Sequence, residues 1–265
     1  NAARGKRNTT LEFFKLLSAC LVVVGHIGLY GKINLPYNAA ARFVIPFFYI
    51  SSGFFCYKSS PEKVLKIVKK LLVVYLIAEL VYNIYNITEL INFGGVGAIL
   101  PYYASICNLG TLKMYLLVNL SPTFEPLWFL LAMLYCHVMQ YFVSRWRIGD
   151  RLVFAFSALG LLALMFLSEG MNALGRPLPP YYYRNFLIMG YPLMGLGMFV
   201  RKYKERFMKL HTGPLLGLIV LGLTEEVLSA LYLGRGELYL GSYVVAVCLM
   251  VICLKYPELS FCRKF

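Results

Sequence analysis

Lys15 and His26 stand eleven residues apart in one apolar stretch, Leu11–Leu29, which reads LEFFKLLSACLVVVGHIGL. At about 100° per residue, eleven helical residues return to within about 20° of the starting direction and rise about 16 Å. A helix here therefore carries a cation and an imidazole on one face, joined by a stripe through Ser18, Ala19 and Val22. Imidazole is the usual general base near neutral pH, so the face carries a cation at one end and a possible proton acceptor at the other. Ionisable groups inside an apolar span are costly and mark function by default. The pair suits a substrate threaded across part of a membrane. Plainer readings exist for each alone. His26 fits a neutral histidine bonded to a backbone carbonyl, and Lys15 fits snorkelling to the interface or pairing with Glu12 at i,i+3.

Three further constellations carry polar chemistry. Pro46–Phe54 (PFFYISSGF) places a helix-breaking proline and Ser51, Ser52 and Gly53 in one span. It reads as a packed kink or as a polar wall facing the histidine. Glu225-Glu226 point about 100° apart on a helix, so one faces the bundle interior and pairs with Lys15, Arg184 or His137, or takes a substrate or a proton. Arg184 opens a span that carries Gly190, Gly195 and Gly197. It reads as an interface anchor or as a holder of an anionic or polyhydroxylated substrate. That glycine row also permits a homodimer. His137 reads as a satisfied interior histidine. No Walker loop, GxGxxG, HExxH or GxSxG occurs, no metal-ligand spacing appears among the scattered cysteines, and no tightly bound cofactor is expected.

The elements that must position these residues follow from composition. The chain has 265 residues, is 60% hydrophobic and holds only 12 acidic residues, and its mean hydropathy is +0.67. This predicts an all-α polytopic transmembrane bundle in the lipid bilayer. The net charge of +14 sits between spans, which argues against nucleic acid as a partner. Eight spans are expected, at 9–29, 39–57, 66–88, 127–145, 151–168, 183–200, 214–233 and 238–255. The stretch 90–126 reads as an outer loop with a short or re-entrant helix. With a cytoplasmic N-terminus, 19 basic residues fall inside and 6 outside, Lys15 counted to neither, so both termini are expected in the cytoplasm. Lys63, Lys66, Lys69 and Lys70 read as one face of an amphipathic lead-in on the anionic inner leaflet, or as a dock for a nucleotide headgroup.

These residues resemble the integral-membrane acyltransferase family 3. Its first span reads L-D-x-L-R, then ten residues, then His; here Leu11-Glu12-Phe13-Phe14-Lys15 precede His26 at that spacing. Pro46–Phe54 is similar to its P-F-F-F-x-x-S-G-F, and Leu127-Trp128-Phe129-Leu130 to its L-W-F-L. Arg184-Asn185-Phe186, Gly195-x-Gly197 and Arg201-Lys202 are similar to its R-N-F, G-x-L and R-K stretch. This last match, with Glu226 before Tyr239 or Tyr243, most resembles the membrane half of vancomycin-resistance serine racemases, a subgroup associated with amino-acid uptake. Two departures stand out. Lysine at position 15 cannot make the bidentate phosphate contact of an arginine. The family has ten spans where eight are counted here, so the single domain 1–265 reads as a fragment or as ending before a further domain.

The resemblance implies a multi-pass enzyme of a bacterial-type cell membrane that transfers an acyl group from cytoplasmic acyl-CoA, as co-substrate, to a hydroxyl of an envelope glycan or small-molecule acceptor. His26 is expected as general base and Lys15 as the charge neutralising the donor. Glu12, Ser51, Ser52, Trp128, Arg184 and Glu226 are expected to bind substrate. The competing expectation is a carrier for a small amino acid such as serine.

Overall fold

The protein is described by a computed structural model over residues 8–27, 33–233, 236 and 238–259. Arg4, Lys6, Arg7, Lys32, Arg235, Arg263, Lys264, both chain ends and the last two residues of the first expected span lie outside the described residues. The described residues are 84% helix with no strand, which makes the fold all-α. The helices are α1 (Thr9–Ile27), α2 (Asn34–Ala40), α3 (Val44–Cys56), α4 (Pro61–Gly94), α5 (Ile99–Ile106), α6 (Leu109–Val118), α7 (Trp128–Arg145), α8 (Asp150–Met165), α9 (Met171–Ala173), α10 (Tyr191–Lys202), α11 (Lys204–Lys209), α12 (Thr212–Leu233) and α13 (Leu240–Lys255). A π-turn at Phe166–Gly170 joins α8 to α9, and another at Phe186–Gly190 leads into α10.

Among the described residues, five helical stretches are long and apolar enough to cross a membrane: Thr9–Ile27, Asn34–Cys56, Glu125–Arg145, Asp150–Ala173 and Thr212–Leu233. The other three expected spans differ in a physical property. α4 has the length but opens on a lysine-rich turn, α10 begins in a wide turn, and α13 has 16 residues. The stretch 90–126 is more ordered than a loop. α4 continues to Gly94 and stops at Gly95, whose φ of 71° ends the helix, and α5 and α6 follow as two short helices. At 34 residues, α4 is about 51 Å long. Ser60 caps its start by accepting from the Lys63 amide, with Pro61 in the first turn. Lys63, Lys66, Lys69 and Lys70 are exposed, while Val68, Leu71 and the buried Tyr75 pack with Leu131 and Leu134 of α7.

α3 is the hub. It packs against α1, α10 and α13, and Phe47, Tyr49 and Ile50 are fully buried. The α3–α10 contact is backbone against backbone. A Cβ on Gly53 would lie 1.8 Å from the Met194 carbonyl oxygen, and one on Gly197 would lie 2.0 Å from that of Ile50. Small residues allow this approach, which supplies van der Waals contact where lipid removes the usual hydrophobic drive. The glycine row of the sixth expected span is consumed in the same way. Gly190 faces Cys136 and Tyr49, Gly195 faces Ser157, and Gly197 faces Ile50. The row lies inside the fold and offers no dimer surface.

Gly53→Ala or Gly197→Ala should therefore destabilise the protein by about 3 kcal/mol or more, since a backbone oxygen must move to admit the methyl. Gly217→Ala on α12, where nothing lies within 4 Å, should be neutral or stabilising by up to about 1 kcal/mol. Thermal unfolding of the three variants in one detergent checks the contrast.

Candidate functional site

His26 lies in the last turn of α1 and lines two adjoining cavities. One, of about 270 Å³, is edged by Gly25, Asn38, Arg42 and Arg184. The other, of about 370 Å³, is apolar and edged by Phe48, Tyr82, Phe124 and Phe129. Val22, His26, Ile45 and Trp128 border both. The imidazole has no hydrogen-bond partner among the described residues, so its nitrogens are left to whatever fills the cavities.

Local structure builds the polar cavity. The Tyr37 hydroxyl donates to the Leu21 carbonyl at 2.8 Å and pins α2 along the end of α1. The turn after α2 then carries Arg42, whose amide donates to the Ala39 carbonyl. On the opposite wall, Asn185 caps the turn into α10 by accepting from the Leu187 and Ile188 amides at 3.0 Å. That cap leaves Arg184 just outside the helix. Its guanidinium lies 5.0 Å from the Trp128 ring and pairs with Glu125. Two guanidiniums and an imidazole around one cavity favour an anionic or hydroxyl-rich guest.

Sequence reasoning missed the residue that joins these walls. Asn119 is fully buried and left-handed, with φ 51°. Its amide nitrogen donates to the carbonyls of Trp128 at 3.3 Å and Arg184 at 3.5 Å, and its oxygen accepts from the Phe186 amide at 2.8 Å. Asparagine tolerates this backbone better than other non-glycine residues. The available signal was an Asn closing an apolar run ahead of Ser-Pro. Arg42 and Asn38 were also missed as members of the cavity wall, as was Glu125, the partner of Arg184.

Lys15 sits elsewhere. Its Nζ lies 5.1 Å from the centre of the Phe55 ring, near the far end of α3, with Glu12 and Cys253 acting on it electrostatically. α3 thus meets Lys15 at one end and adjoins His26 through Ile45 at the other, and Lys15 lines neither of the two His26 cavities. Glu12 is exposed in the first turn of α1.

The serines do not face His26. Ser52 bonds His137 Nε2 at 3.0 Å, and His137 Nδ1 lies 2.8 Å from the Met133 carbonyl. With Nδ1–H donating to that carbonyl, Nε2 accepts from the serine, and His137 is a satisfied interior histidine. Ser51 Oγ is buried with no partner among the described residues. Val44, Ile45 and Phe48 are the α3 residues that line the cavities, because they lie at the end of α3 beside His26.

Glu226 is fully buried, and neither carboxylate oxygen has a hydrogen-bond partner among the described residues. The expected pairing with Lys15, Arg184 or His137 does not occur. The groups that act on it are Glu225, Arg42 and the nearby Ser242. Glu225 is turned to α13 and accepts from the Gly241 amide at 2.6 Å and from Ser229. Arg42 therefore stands between the His26 cavity and the buried carboxylate.

No metal-binding group of three or more His, Cys, Asp or Glu side chains occurs among the described residues. No curated protein and no solved structure matches the chain. The family model described as Acyltransferase domain matches residues 8–262, and with that coverage the chain belongs to this family of acyltransferase domains, as a helical membrane protein.

Proposed function

We propose that this chain is a membrane-bound O-acyltransferase that moves an acyl group from cytoplasmic acyl-CoA to a hydroxyl of an extracytoplasmic envelope glycan or similar acceptor. The observation that carries the reading is His26 on the wall common to a cationic polar cavity and an apolar one. The acceptor occupies the polar side, against Arg42, Asn38 and Arg184. The acyl group occupies the apolar side, against Phe48 and Trp128. His26 removes the proton of the acceptor hydroxyl as its oxygen attacks the thioester carbonyl. The tetrahedral intermediate collapses to the ester, and the coenzyme A thiolate leaves and takes up a proton. Lys15, about 16 Å down α1, neutralises negative charge on the donor, with Glu12 beside it setting the local charge.

In this reading the eight helices 9–29, 39–57, 66–88, 127–145, 151–168, 183–200, 214–233 and 238–255 span a bacterial-type cell membrane. Both termini are cytoplasmic, and His26 lies toward the outer side.

A second reading rests on Glu226. A buried carboxylate without a hydrogen-bond partner, beside Arg42, offers one anion and one cation, the complement of an amino acid's ammonium and carboxylate. That favours a carrier for a small amino acid such as serine, in line with the resemblance to the membrane half of resistance serine racemases. Glu226 and Arg42 would then be its binding pair.

The purified chain in liposomes, given acyl-CoA and an envelope glycan pool, should release free thiol, and His26→Ala should slow release by about 10²–10⁴-fold. His26→Asn should be as damaging if His26 is a base, whereas a carrier keeps part of its serine uptake with that change. Uptake lost in Glu226→Gln, with no thiol release from any form, would replace the transferase by the carrier.

The two cations should separate kinetically. Lys15→Gln should raise the KM for acyl-CoA about tenfold, and Arg184→Gln that for the acceptor, the loss of one charge-assisted contact each. Initial rates with each substrate varied in turn check the split. Equal effects of both variants on both KM values would count against separate donor and acceptor ends.

A further inference from the structure

At the end of the bundle away from His26, the turn after α3 and the turn after α7 face each other across a cavity of about 300 Å³. Lys58 and Arg147 line it from the two sides, and both are left-handed, with φ of 52° and 53°. Each occupies the place after a helix C-terminus where glycine is the residue of least strain. Cations are favoured near helix C-termini, which accounts for either one alone. The helix dipole does not require both on one cavity.

The charges around the cavity do not balance internally. Asp150 is its one lining carboxylate among the described residues. That carboxylate is already taken, by Lys202 Nζ at 2.8 Å and by the Tyr57 hydroxyl at 2.8 Å. The Tyr57 hydroxyl has its hydrogen committed to Asp150 and so offers no second acid to the cavity. Lys58 feels Asp150 electrostatically but forms no ion pair with it, and lies 5.5 Å from the Tyr57 ring centre. Arg147 has no side-chain partner among the described residues. The first turn of α8 opens on the same cavity, and its N-cap, Gly149, supplies no side-chain bond. Free amides at such a turn add to the attraction for an anion. The neutral floor, Gln140, is fixed by the Tyr191 hydroxyl at 2.9 Å and by Ser144 at 3.2 Å.

We infer that this cavity binds a phosphate group between Lys58 and Arg147. Two sources share that chemistry: the nucleotide phosphates of the acyl-CoA donor and the headgroup of an anionic phospholipid. The first source rests on the transferase reading, and the phosphate site itself does not. The donor's phosphates would then be held by the two turns, leaving Lys15 to act closer to the thioester.

The full chain is placed in nanodiscs of phosphatidylcholine and titrated with adenosine 3′,5′-bisphosphate, a probe that carries phosphates and no thioester. Saturable binding is expected, weakened about tenfold or more in Lys58→Gln and in Arg147→Gln, as for loss of a charge-assisted bond. Arg176→Gln, on an exposed cation far along the chain, should leave the affinity unchanged. Lys58→Gly and Arg147→Gly remove the charge while relieving the backbone. They should weaken binding equally with an unchanged or raised melting temperature, which separates charge from misfolding. If the bisphosphate does not bind, the second arm measures phosphatidylglycerol retained through purification. Retention lost in the same variants assigns the phosphate to lipid. Binding and retention that are both absent, or both indifferent to Lys58 and Arg147, would overturn the site. Bisphosphate binding by a chain that releases no thiol would keep the site and sink the transferase.

Discussion

The contact on which the bundle depends is the direct apposition of α3 and α10. Gly53 and Gly197 each press on a backbone oxygen of the other helix, so the distance between the helices is set by main chain and no side chain can adjust it. Several groups at the ends of the bundle are placed by these two helices, while His26 comes from α1 and Trp128 from α7. The Arg42 turn and Ile45 enter from the start of α3, Arg184 stands at the entry to α10, and Lys15 rests on Phe55 near the end of α3. A rigid pair at the centre lets flanking helices contribute single side chains without the site losing its dimensions.

The three non-glycine residues with positive φ among the described residues, Lys58, Asn119 and Arg147, lie at the two ends of this scaffold. Asn119 fixes the backbone that presents Trp128 and Arg184, with every side-chain polar group bonded. Strain of this kind persists where surrounding structure over-determines it. At Asn119 the determinants are visible as three hydrogen bonds. At Lys58 and Arg147 they are helix ends whose side chains face a common cavity.

Much of the fold was legible from hydropathy, because span-length apolar runs leave few alternatives. The helical fold, the amphipathic start of α4 and the shared orientation of Lys15 and His26 toward α3 all follow from periodicity. The site was less legible where it depends on partners distant in sequence. Ser52 looked like a wall for His26, yet its hydroxyl belongs to His137, 85 positions away. The glycines at 190, 195 and 197 gave the right chemistry, close helix approach, but spacing alone does not say whether the partner is internal or a second copy. One of Glu225 and Glu226 was expected inside, and the structure makes it Glu226, while Arg42 was invisible because it sits in a turn with no motif of its own. Asn119 escaped because one left-handed residue leaves almost no trace in composition.

α1 carries the imidazole, yet only 17% of its most apolar window is buried against the rest of the protein. The rest of that helix is exposed or half-buried, which leaves it open to acyl chains, so lipid as well as neighbouring helices sets its depth. A thicker or thinner bilayer would tilt or slide α1 against a stationary α3–α10 pair. The height of the imidazole relative to Arg184 and Trp128 thus becomes a property of the membrane. Growth conditions that remodel the lipids would tune this centre without altering one residue of it.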